Sequence, residues 1–211
     1  MSKIKAIVFD QGETLINETR FWASVAAYAG VPELTVFGVL GGLIERRENH
    51  RSLFNIMQTE SVDPGIIGYQ IEQRDLYPDV VRNLTRLHHD GYILATAGNQ
   101  SANVQSEMDA LGLPVKFNAT SAGWRLSKPD PAYFRRIADE LQHAPEEILY
   151  VGDRLDNDYF PAEQSGMHAI FIRRGPWGFL HSTWPEMAQV KHQITDLGQI
   201  PQIIAAIEGA E

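Results

Sequence analysis

Short apolar runs alternate with amphipathic segments along most of the chain, and this pattern predicts its secondary structure. The runs that are typical of buried strands cover 4–9, 92–97, 115–119, 148–151 and 168–172. Helical spacing of apolar positions predicts helices over 79–89, 101–111, 130–142, 156–165 and 200–207. Strands that alternate with helices predict an α/β fold with a doubly wound parallel sheet and a Rossmann-like core.

The segment from 17 to 77 differs because little of it has the pattern of a strand. Helices are predicted over 20–30, 32–48 and 50–58, and Asp63-Pro64 could begin a fourth. We therefore expect a core formed by 1–16 and 78–211, with a small helical cap inserted over 17–77. The aromatic residues expected to pack this cap or line its lower face are Trp22, Tyr28, Phe37 and Phe54.

Composition narrows the classes of function. The chain has no cysteine, which excludes disulfides, thiolate metal sites and a catalytic thiol. Its net charge of −9 argues against nonspecific binding to nucleic acid. No apolar run approaches the roughly 18 residues of a membrane span, and the N-terminus lacks the apolar stretch of a signal peptide. We expect a cytoplasmic protein that binds neither nucleic acid nor membranes.

Carboxylates follow two of the predicted strands at the point where each strand ends. Asp10 comes directly after the first strand, and Asp153 and Asp158 follow the strand over 148–151. Ligands of such sheets bind beyond the carboxyl ends of the strands, where these residues are expected to meet. Lys128 lies in a loop on the same side. Pro129 and Pro131, which follow it, restrict the backbone before the next helix, so the lysine is held in place. Carboxylate oxygens at a strand end suit Mg²⁺.

Four motifs occur in the order that is typical of one large family. They are Asp10-Gln-Gly-Glu-Thr14-Leu15, Gly98-Asn99, Lys128-Pro-Asp-Pro131 and Gly152-Asp153-Arg-Leu-Asp-Asn-Asp158. Together they resemble the haloacid dehalogenase (HAD) superfamily, whose members are mostly phosphatases with an aspartate nucleophile. The resemblance covers nearly the whole chain and implies a HAD-like core with a helical cap between the first two motifs.

The resemblance also implies roles for individual residues. Asp10 would attack phosphorus and form an aspartyl-phosphate, and Lys128 would neutralise both the nucleophile and the phosphate. Mg²⁺ would be held by Asp10, the backbone carbonyl of Gly12, Asp153 and Asp158, with direct or indirect coordination left open for Asp158.

The second motif resembles the family less closely. The family places Ser or Thr where this chain has Gly98, to hold a phosphoryl oxygen. Gly98 still offers its backbone N–H at a helix N-terminus, and Thr96 lies two residues earlier on the same strand face. We therefore expect the substrate to be bound by Gly12, Thr96, Gly98, Asn99 and Lys128.

One position of the first motif departs from the family. Family phosphatases carry Asp-x-Asp, and this chain has Gly12 in place of the second Asp. That Asp protonates the leaving oxygen and then deprotonates the attacking water, which is worth about 10²–10⁴-fold in rate. Glu13 is expected to be a poor substitute, because strand-like alternation would point it away from the side of Asp10.

Several activities are compatible with this departure. The first is a Mg²⁺-dependent hydrolase of a small phosphorylated metabolite, slow or selective for good leaving groups, in which His50 of the cap could supply the acid. A dehalogenase-like hydrolase also needs no second Asp, but the cluster of Asp153 and Asp158 argues for a metal. A phosphonatase would need a cap lysine, and none occurs between Lys5 and Lys116.

A third alternative is a non-enzymatic relative that binds a phosphorylated metabolite. The loss of one catalytic group with a retained metal site is compatible with it. Monomer and homodimer both remain open.

Overall fold

A single parallel sheet forms the centre of the computed structural model, which describes residues 3–60 and 67–209. Its strand order is β3-β2-β1-β4-β5-β6. Within the described residues the strands are β1 Ala6–Phe9, β2 Ile93–Gly98, β3 Asn118–Thr120, β4 Ile148–Gly152, β5 His168–Ile172 and β6 Gln193–Ile194. The predicted helix start at Asp63-Pro64 lies outside the described residues.

The helices flank the sheet or precede its second strand. Those in the described residues are α1 Thr19–Ala29, α2 Glu33–Glu45, α3 Ser52–Ile56, α4 Val80–His89, α5 Asn103–Ala110, α6 Ser121–Trp124, α7 Pro131–Leu141, α8 Phe160–Gln164, α9 Gly175–His181 and α10 Ile200–Gly209. Short 3₁₀ turns cover Gln73–Asp75, Pro145–Glu147, Pro185–Gln189 and Leu197–Gln199.

Alternation along the strands divides the core into two layers. In β1, Ile7 and Phe9 face the apolar layer of α4, α5 and α10, whereas Ala6 and Val8 face the layer of α7 and α8. All four side chains have no solvent exposure. Burial on both faces requires apolar residues at every position of the strand, which is why β1 has a continuous apolar run. The predicted doubly wound α/β fold is confirmed.

Several predicted elements differ in extent from those observed. α5 begins at Asn103, and Ser101 donates from Oγ to Asn103 Oδ1 rather than acting as its N-cap. The third strand covers only Asn118–Thr120. The helix predicted over 156–165 is divided into a π-helical turn, Leu155–Tyr159, and α8. Pro161 has no N–H with which to continue the π-helical turn. A separate helix, α8, therefore begins at Phe160, with this proline in its first turn.

The inserted helices have a hydrophobic core of their own. Residues of α1, α2 and α3 form one cluster, and Trp177 of α9 belongs to the same cluster. Trp22 and Phe54 are buried there as expected, whereas Tyr28 is 44% exposed and does not pack in the cluster. The cap boundaries at 17 and 77 remain predictions.

Within the described residues, no single helix has the length and apolar composition to cross a membrane, although the bent pair of α1 and α2 meets those criteria together.

Candidate active site

The carboxyl ends of three adjacent strands bring together residues that are far apart in the sequence. β1 lies between β2 and β4, so Asp10, Asn99 and Asp153, which follow these strands, share one edge of the sheet. The Asp10 N–H donates to the carbonyl of Val151 at 2.8 Å, which continues the pairing of β1 with β4 by one residue. The backbone of the first motif is thereby fixed beside the acidic cluster.

Lys128 lies at the centre of a buried polar cluster. Its Nζ donates to Asp10 Oδ1 at 2.5 Å, to Asp158 Oδ1 at 2.6 Å and to the Tyr150 hydroxyl at 3.1 Å. Only 2% of the Lys128 side chain is exposed to solvent. Burial opposes the charged form of a lysine, but the charges of Asp10 and Asp158 outweigh it and raise the Lys128 pKa well above its usual value.

Asn99 holds the backbone of Lys128 in place. Its side-chain Nδ2 donates to the Lys128 carbonyl at 2.8 Å, and its Oδ1 accepts from the Lys128 N–H at 2.9 Å. These reciprocal bonds tie the end of β2 to the loop before α7. Asn99 therefore positions the lysine in addition to lining the cavity.

The three aspartates of the acidic cluster have the geometry of a cation site. Each of Asp10, Asp153 and Asp158 offers an oxygen within 4.8 Å of the others. Asp153 Oδ2 is buried and has no hydrogen-bond partner in the described residues. Burial, followed by the charges of Asp10 and Asp158, raises the pKa of Asp153 well above its usual value. A divalent cation would satisfy the unpartnered oxygen and offset this repulsion, so the donor set fits Mg²⁺.

Gly152 allows the acidic residues to lie this close. A Cβ atom at this position would lie 2.4 Å from Asp158 Cγ. The glycine of the fourth motif is therefore required by the approach of the Asp158 carboxylate to the end of β4.

A cavity of about 320 Å³ opens above this cluster. Its floor includes Asp10, Gly12, Asn99, Lys128 and Asp153. The inserted segment contributes Glu18, Phe21, Trp22, His50, Arg51 and Phe54 to its walls. Residues of the segment over 17–77 therefore line the cavity, and its role as a cap stays a prediction.

Two predicted substrate-binding residues do not line this cavity. Thr96 is fully buried, and its hydroxyl donates to Asn118 Oδ1 at 2.7 Å and accepts from Gln11 Nε2 at 2.9 Å. Gly98 is covered by the Gln11 side chain, whose Oε1 would lie 2.5 Å from a Cβ at position 98. Gln11 thus fills the space that a side chain at position 98 would need, and the structure does not bring the Thr96 hydroxyl to the pocket.

The first motif ends in a turn that separates two glutamates. Glu13 has a left-handed backbone, with φ of 54°, and its carboxylate accepts from the Tyr77 hydroxyl at 2.5 Å and the Glu18 N–H at 3.0 Å. Glu18 lies beside Gly12 and accepts from Gln100 Nε2 at 3.2 Å. Burial, followed by the charge of Glu13, raises the pKa of Glu18 to about 8.

His50 lies in the same cavity, as the cap hypothesis requires. Its ring makes edge contacts with Trp22 and Trp177, at centroid distances of 6.2 and 5.6 Å. Burial, followed by the charge of Arg154, lowers the pKa of His50 to about 4. This shift favours the neutral imidazole near pH 7, which is a much weaker acid than the imidazolium.

Sequence reasoning missed Glu18, Gln100 and Arg154 as cavity residues. Glu18 and Gln100 belong to no motif, and Arg154 is a position of the fourth motif to which the resemblance gives no role. Arg154 and Gln100 could have been found from their places next to Asp153 and Asn99. Glu18 had no such signal, because only the turn after Gly12 brings it back to the cavity.

Comparison with known proteins shows the family of the chain and its shared fold. The model of the haloacid dehalogenase-like hydrolase family matches residues 4–166. A glyceraldehyde 3-phosphate phosphatase from Methanopyrus kandleri is 28% identical over 200 residues, which cover 82% of this chain and 86% of the relative.

Solved structures share the fold. A protein described as a predicted phosphoglycolate phosphatase from Haemophilus somnus has a TM-score of 0.71 at 23% identity, over 96% of this chain and 99% of that one. The putative HAD-hydrolase YfnB from Bacillus subtilis, described as bound to magnesium, has a TM-score of 0.70 at 15% identity, over 96% and 99% of the two chains. At these identities the structures show a shared fold alone. The family match extends from β1 through α8 and includes all four motifs, and the chain is a member of the haloacid dehalogenase-like hydrolases.

Proposed function

We propose that this hydrolase cleaves a phosphate monoester of a small metabolite, with Mg²⁺ as its cofactor and Asp10 as its nucleophile. The observation that carries the proposal is the contact of Lys128 Nζ with both Asp10 and Asp158, beside the unpartnered oxygen of Asp153. The buried ammonium group of Lys128 offsets only part of the negative charge of the three aspartates, so a bound cation would stabilise the cluster.

Asp10 has the contacts that a nucleophile in this site needs. Its Oδ1 accepts from Lys128, and no donor among the described residues reaches its Oδ2. In the first step an Asp10 oxygen forms a bond to phosphorus while the bond from phosphorus to the ester oxygen breaks. In the second step water attacks the same phosphorus, which releases phosphate and regenerates the Asp10 carboxylate.

The carboxylates of Asp10, Asp153 and Asp158 and the carbonyl of Gly12 would hold Mg²⁺. The ion, when bound, supplies positive charge against the phosphoryl oxygens. Lys128 supplies a second positive charge beside Asp10. Asn99 fixes the position of this charge through two hydrogen bonds to the Lys128 backbone.

The cavity favours a small anionic substrate. Its volume of about 320 Å³ is at the lower end of the range for small-molecule sites. Arg51, Lys128 and Arg154 line it and supply positive charge that can attract a phosphate group. The Methanopyrus kandleri relative, whose name gives it a three-carbon phosphate ester as substrate, supports this size.

Release of para-nitrophenol from its phosphate ester tests the proposal. We expect activity that requires Mg²⁺, is lost in EDTA and is lost in Asp10→Asn. Asp139→Asn, which changes an exposed carboxylate on α7, serves as the matched control and should retain full activity. Chloride release from chloroacetate, measured in parallel, tests the dehalogenase alternative. Turnover of chloroacetate but not of the phosphate ester would show that the proposal is wrong.

A further inference from the structure

The volume beside Gly12 is filled by a carboxylate from another part of the chain. A Cβ atom built on Gly12 would lie 2.3 Å from Glu18 Oε1 and 2.9 Å from Glu18 Cδ. With a side chain at position 12, the Glu18 carboxyl could not keep its present place. The Glu18 carboxyl group therefore occupies the space in which a side chain at position 12 would begin, two residues beyond the nucleophile.

Glu18 is held in this position at both ends. Its Oε1 accepts from Gln100 Nε2 at 3.2 Å, and its backbone N–H donates to Glu13 Oε1 at 3.0 Å. Its carbonyl accepts from the Trp22 N–H at 3.0 Å, which joins Glu18 to the first turn of α1. The side chain lines the same cavity as Asp10, Lys128 and Asp153.

The other candidates for a proton donor and acceptor are in less suitable environments. Glu13 is turned toward α9, where its Oε2 would lie 2.3 Å from a Cβ at Gly175, and Tyr77 and the Glu18 N–H already bind its carboxylate. His50 makes edge contacts with two tryptophan rings, and it does not lie against Gly12. Of the three groups, Glu18 alone occupies the space beside Gly12.

We propose that Glu18 is the general acid and base of the reaction, in place of the aspartate that is absent at position 12. The inference rests on the proposed phosphohydrolase function. As the bond from phosphorus to the ester oxygen breaks, the Glu18 carboxyl gives its proton to the leaving oxygen. The resulting carboxylate then takes a proton from water as water attacks the aspartyl-phosphate, which releases phosphate, frees Asp10 and restores the Glu18 proton.

The dependence of rate on the leaving group tests this assignment in the Mg²⁺-loaded full chain. For Glu18→Gln, kcat/KM on an alkyl phosphate should fall by about 10²–10⁴-fold, because an alkoxide leaves poorly without a proton. On para-nitrophenyl phosphate kcat/KM should fall less than about 10-fold, because this leaving group needs little protonation. Glu33→Gln, an exposed change at the start of α2, is the control and should alter neither value.

Two further readouts separate this role from a structural one. Because water activation also needs Glu18, mass spectrometry of acid-quenched Glu18→Gln should find more phosphorylated Asp10 than in the wild type. In Glu18→Ala, the added change Gly12→Asp should restore alkyl phosphate turnover, since removal of the Glu18 carboxyl opens the space for a side chain at position 12.

Equal losses on both substrates, or unchanged rates on both, would overturn the role of Glu18 while the phosphohydrolase function stood. Absence of Asp10-dependent turnover in the wild type would overturn the proposed function, and this inference with it.

Discussion

Gly12 and Gly98 are each covered by a side chain from the region of the first motif. Glu18 lies against Gly12, and Gln11 lies against Gly98. Gln11 is further held by bonds from its Nε2 to Thr96 Oγ1 at 2.9 Å and to the Ala119 carbonyl at 3.1 Å. At each position, the neighbouring side chain therefore fills the space that a larger residue would need.

The Gly98–Gln11 contact predicts that a family-like serine is poorly tolerated. In Gly98→Ser the new Cβ would lie 2.5 Å from Gln11 Oε1 and 3.1 Å from Gln11 Cβ. We expect the free energy of unfolding to fall by about 1–3 kcal/mol, as for other overpacked cores. Urea denaturation measures the change.

A double-mutant cycle and a glycine control make this test specific. Gln11→Ala should be less destabilising in the Gly98→Ser background than alone, with a coupling of about 0.5–3 kcal/mol. Gly38→Ala in α2, where a Cβ meets nothing within 4 Å, should instead stabilise the protein by about 0.5–1 kcal/mol. Additive effects at 11 and 98 would contradict the proposed contact.

Lys128 offers a second prediction at this scale. Lys128→Met leaves Asp10 and Asp158 buried without their shared cation, so in EDTA we expect the free energy of unfolding to fall by about 3–5 kcal/mol. Lys191→Met is the control, because its ion pair with Glu163 is exposed and should be worth less than about 1 kcal/mol. Equal effects of the two changes in urea denaturation would show that the Lys128 cluster does not stabilise the fold.

The sequence placed the residues of the acidic cluster well because each follows an element that its own pattern predicts. Asp10 and Asp153 come directly after buried strands, and the structure brings them together. Residues two apart on a strand lie on the same face, but they differ in their distance from the end of the strand. Thr96 therefore contacts Gln11 and Asn118 below the cavity and does not reach it. Whether a side chain near the end of a strand is covered depends on the neighbouring strands, which the local sequence pattern does not describe.

At the scale of elements, one buried ion pair links three helical segments. Arg174, just before α9, donates to both carboxylate oxygens of Asp79, at the start of α4, at 3.1 and 2.6 Å. Asp79 also accepts from the Leu197 N–H at 2.8 Å, at the turn before α10. Burial alone would raise the pKa of Asp79, but Arg174 and the Leu197 N–H outweigh burial and hold it below its usual value.

The direction of this shift predicts a pH dependence of stability. A carboxylate with a lowered pKa in the folded state contributes stability that is complete above its unfolded value of about 3.9 and is lost as pH falls through the folded value. In Asp79→Asn we therefore expect a loss of about 3 kcal/mol near pH 7, which shrinks as pH falls below about 4.

Urea denaturation of both proteins at several pH values measures this difference. Asp90→Asn, which removes an exposed partner of Arg86 at 3.7 Å, should show a loss below about 1 kcal/mol at every pH. A constant difference between the wild type and Asp79→Asn down to pH 3 would contradict the assignment.

The elements that sequence reasoning missed were short or had no periodic pattern of apolar residues. β6 has two residues, which is too few to show an alternation. α9 begins with Gly175 and Pro176 and has only seven residues, so its composition resembles a loop. Long segments such as α4 and α7 were recognised because their apolar residues recur over several turns and face a large core.

For the molecule as a whole, α9 is the element on which the cap packs. Trp177 is 7% exposed and belongs to the apolar cluster of α1, α2 and α3. Arg47 of the insert also donates to both oxygens of Glu186 in the core, at 2.7 and 3.0 Å. The insert and the core are therefore joined by an apolar contact beside the cavity and an exposed ion pair farther out.

Loss of the apolar contact should affect substrate binding as well as stability. In Trp177→Ala we expect a loss of about 3–5 kcal/mol in the free energy of unfolding, together with a KM that rises more than kcat falls. Steady-state kinetics on the phosphate ester and urea denaturation measure the two effects. Trp124→Ala, which changes a tryptophan packed against Phe117 and Tyr133, should lower stability without raising KM. A similar rise in KM in both variants would contradict a role of Trp177 in holding the cap.

The 2.3 Å between a Cβ at position 12 and Glu18 Oε1 also has a consequence for how such a chain can evolve. In a chain with aspartate at position 12, the Glu18 carboxyl would have to lie elsewhere. We therefore expect residues 12 and 18 to be epistatic, because the effect of a side chain at position 12 depends on where the carboxyl of residue 18 lies. A survey that judged homologues position by position would count this chain among those that had lost a group, whereas a survey of covarying pairs would register an exchange between positions 12 and 18.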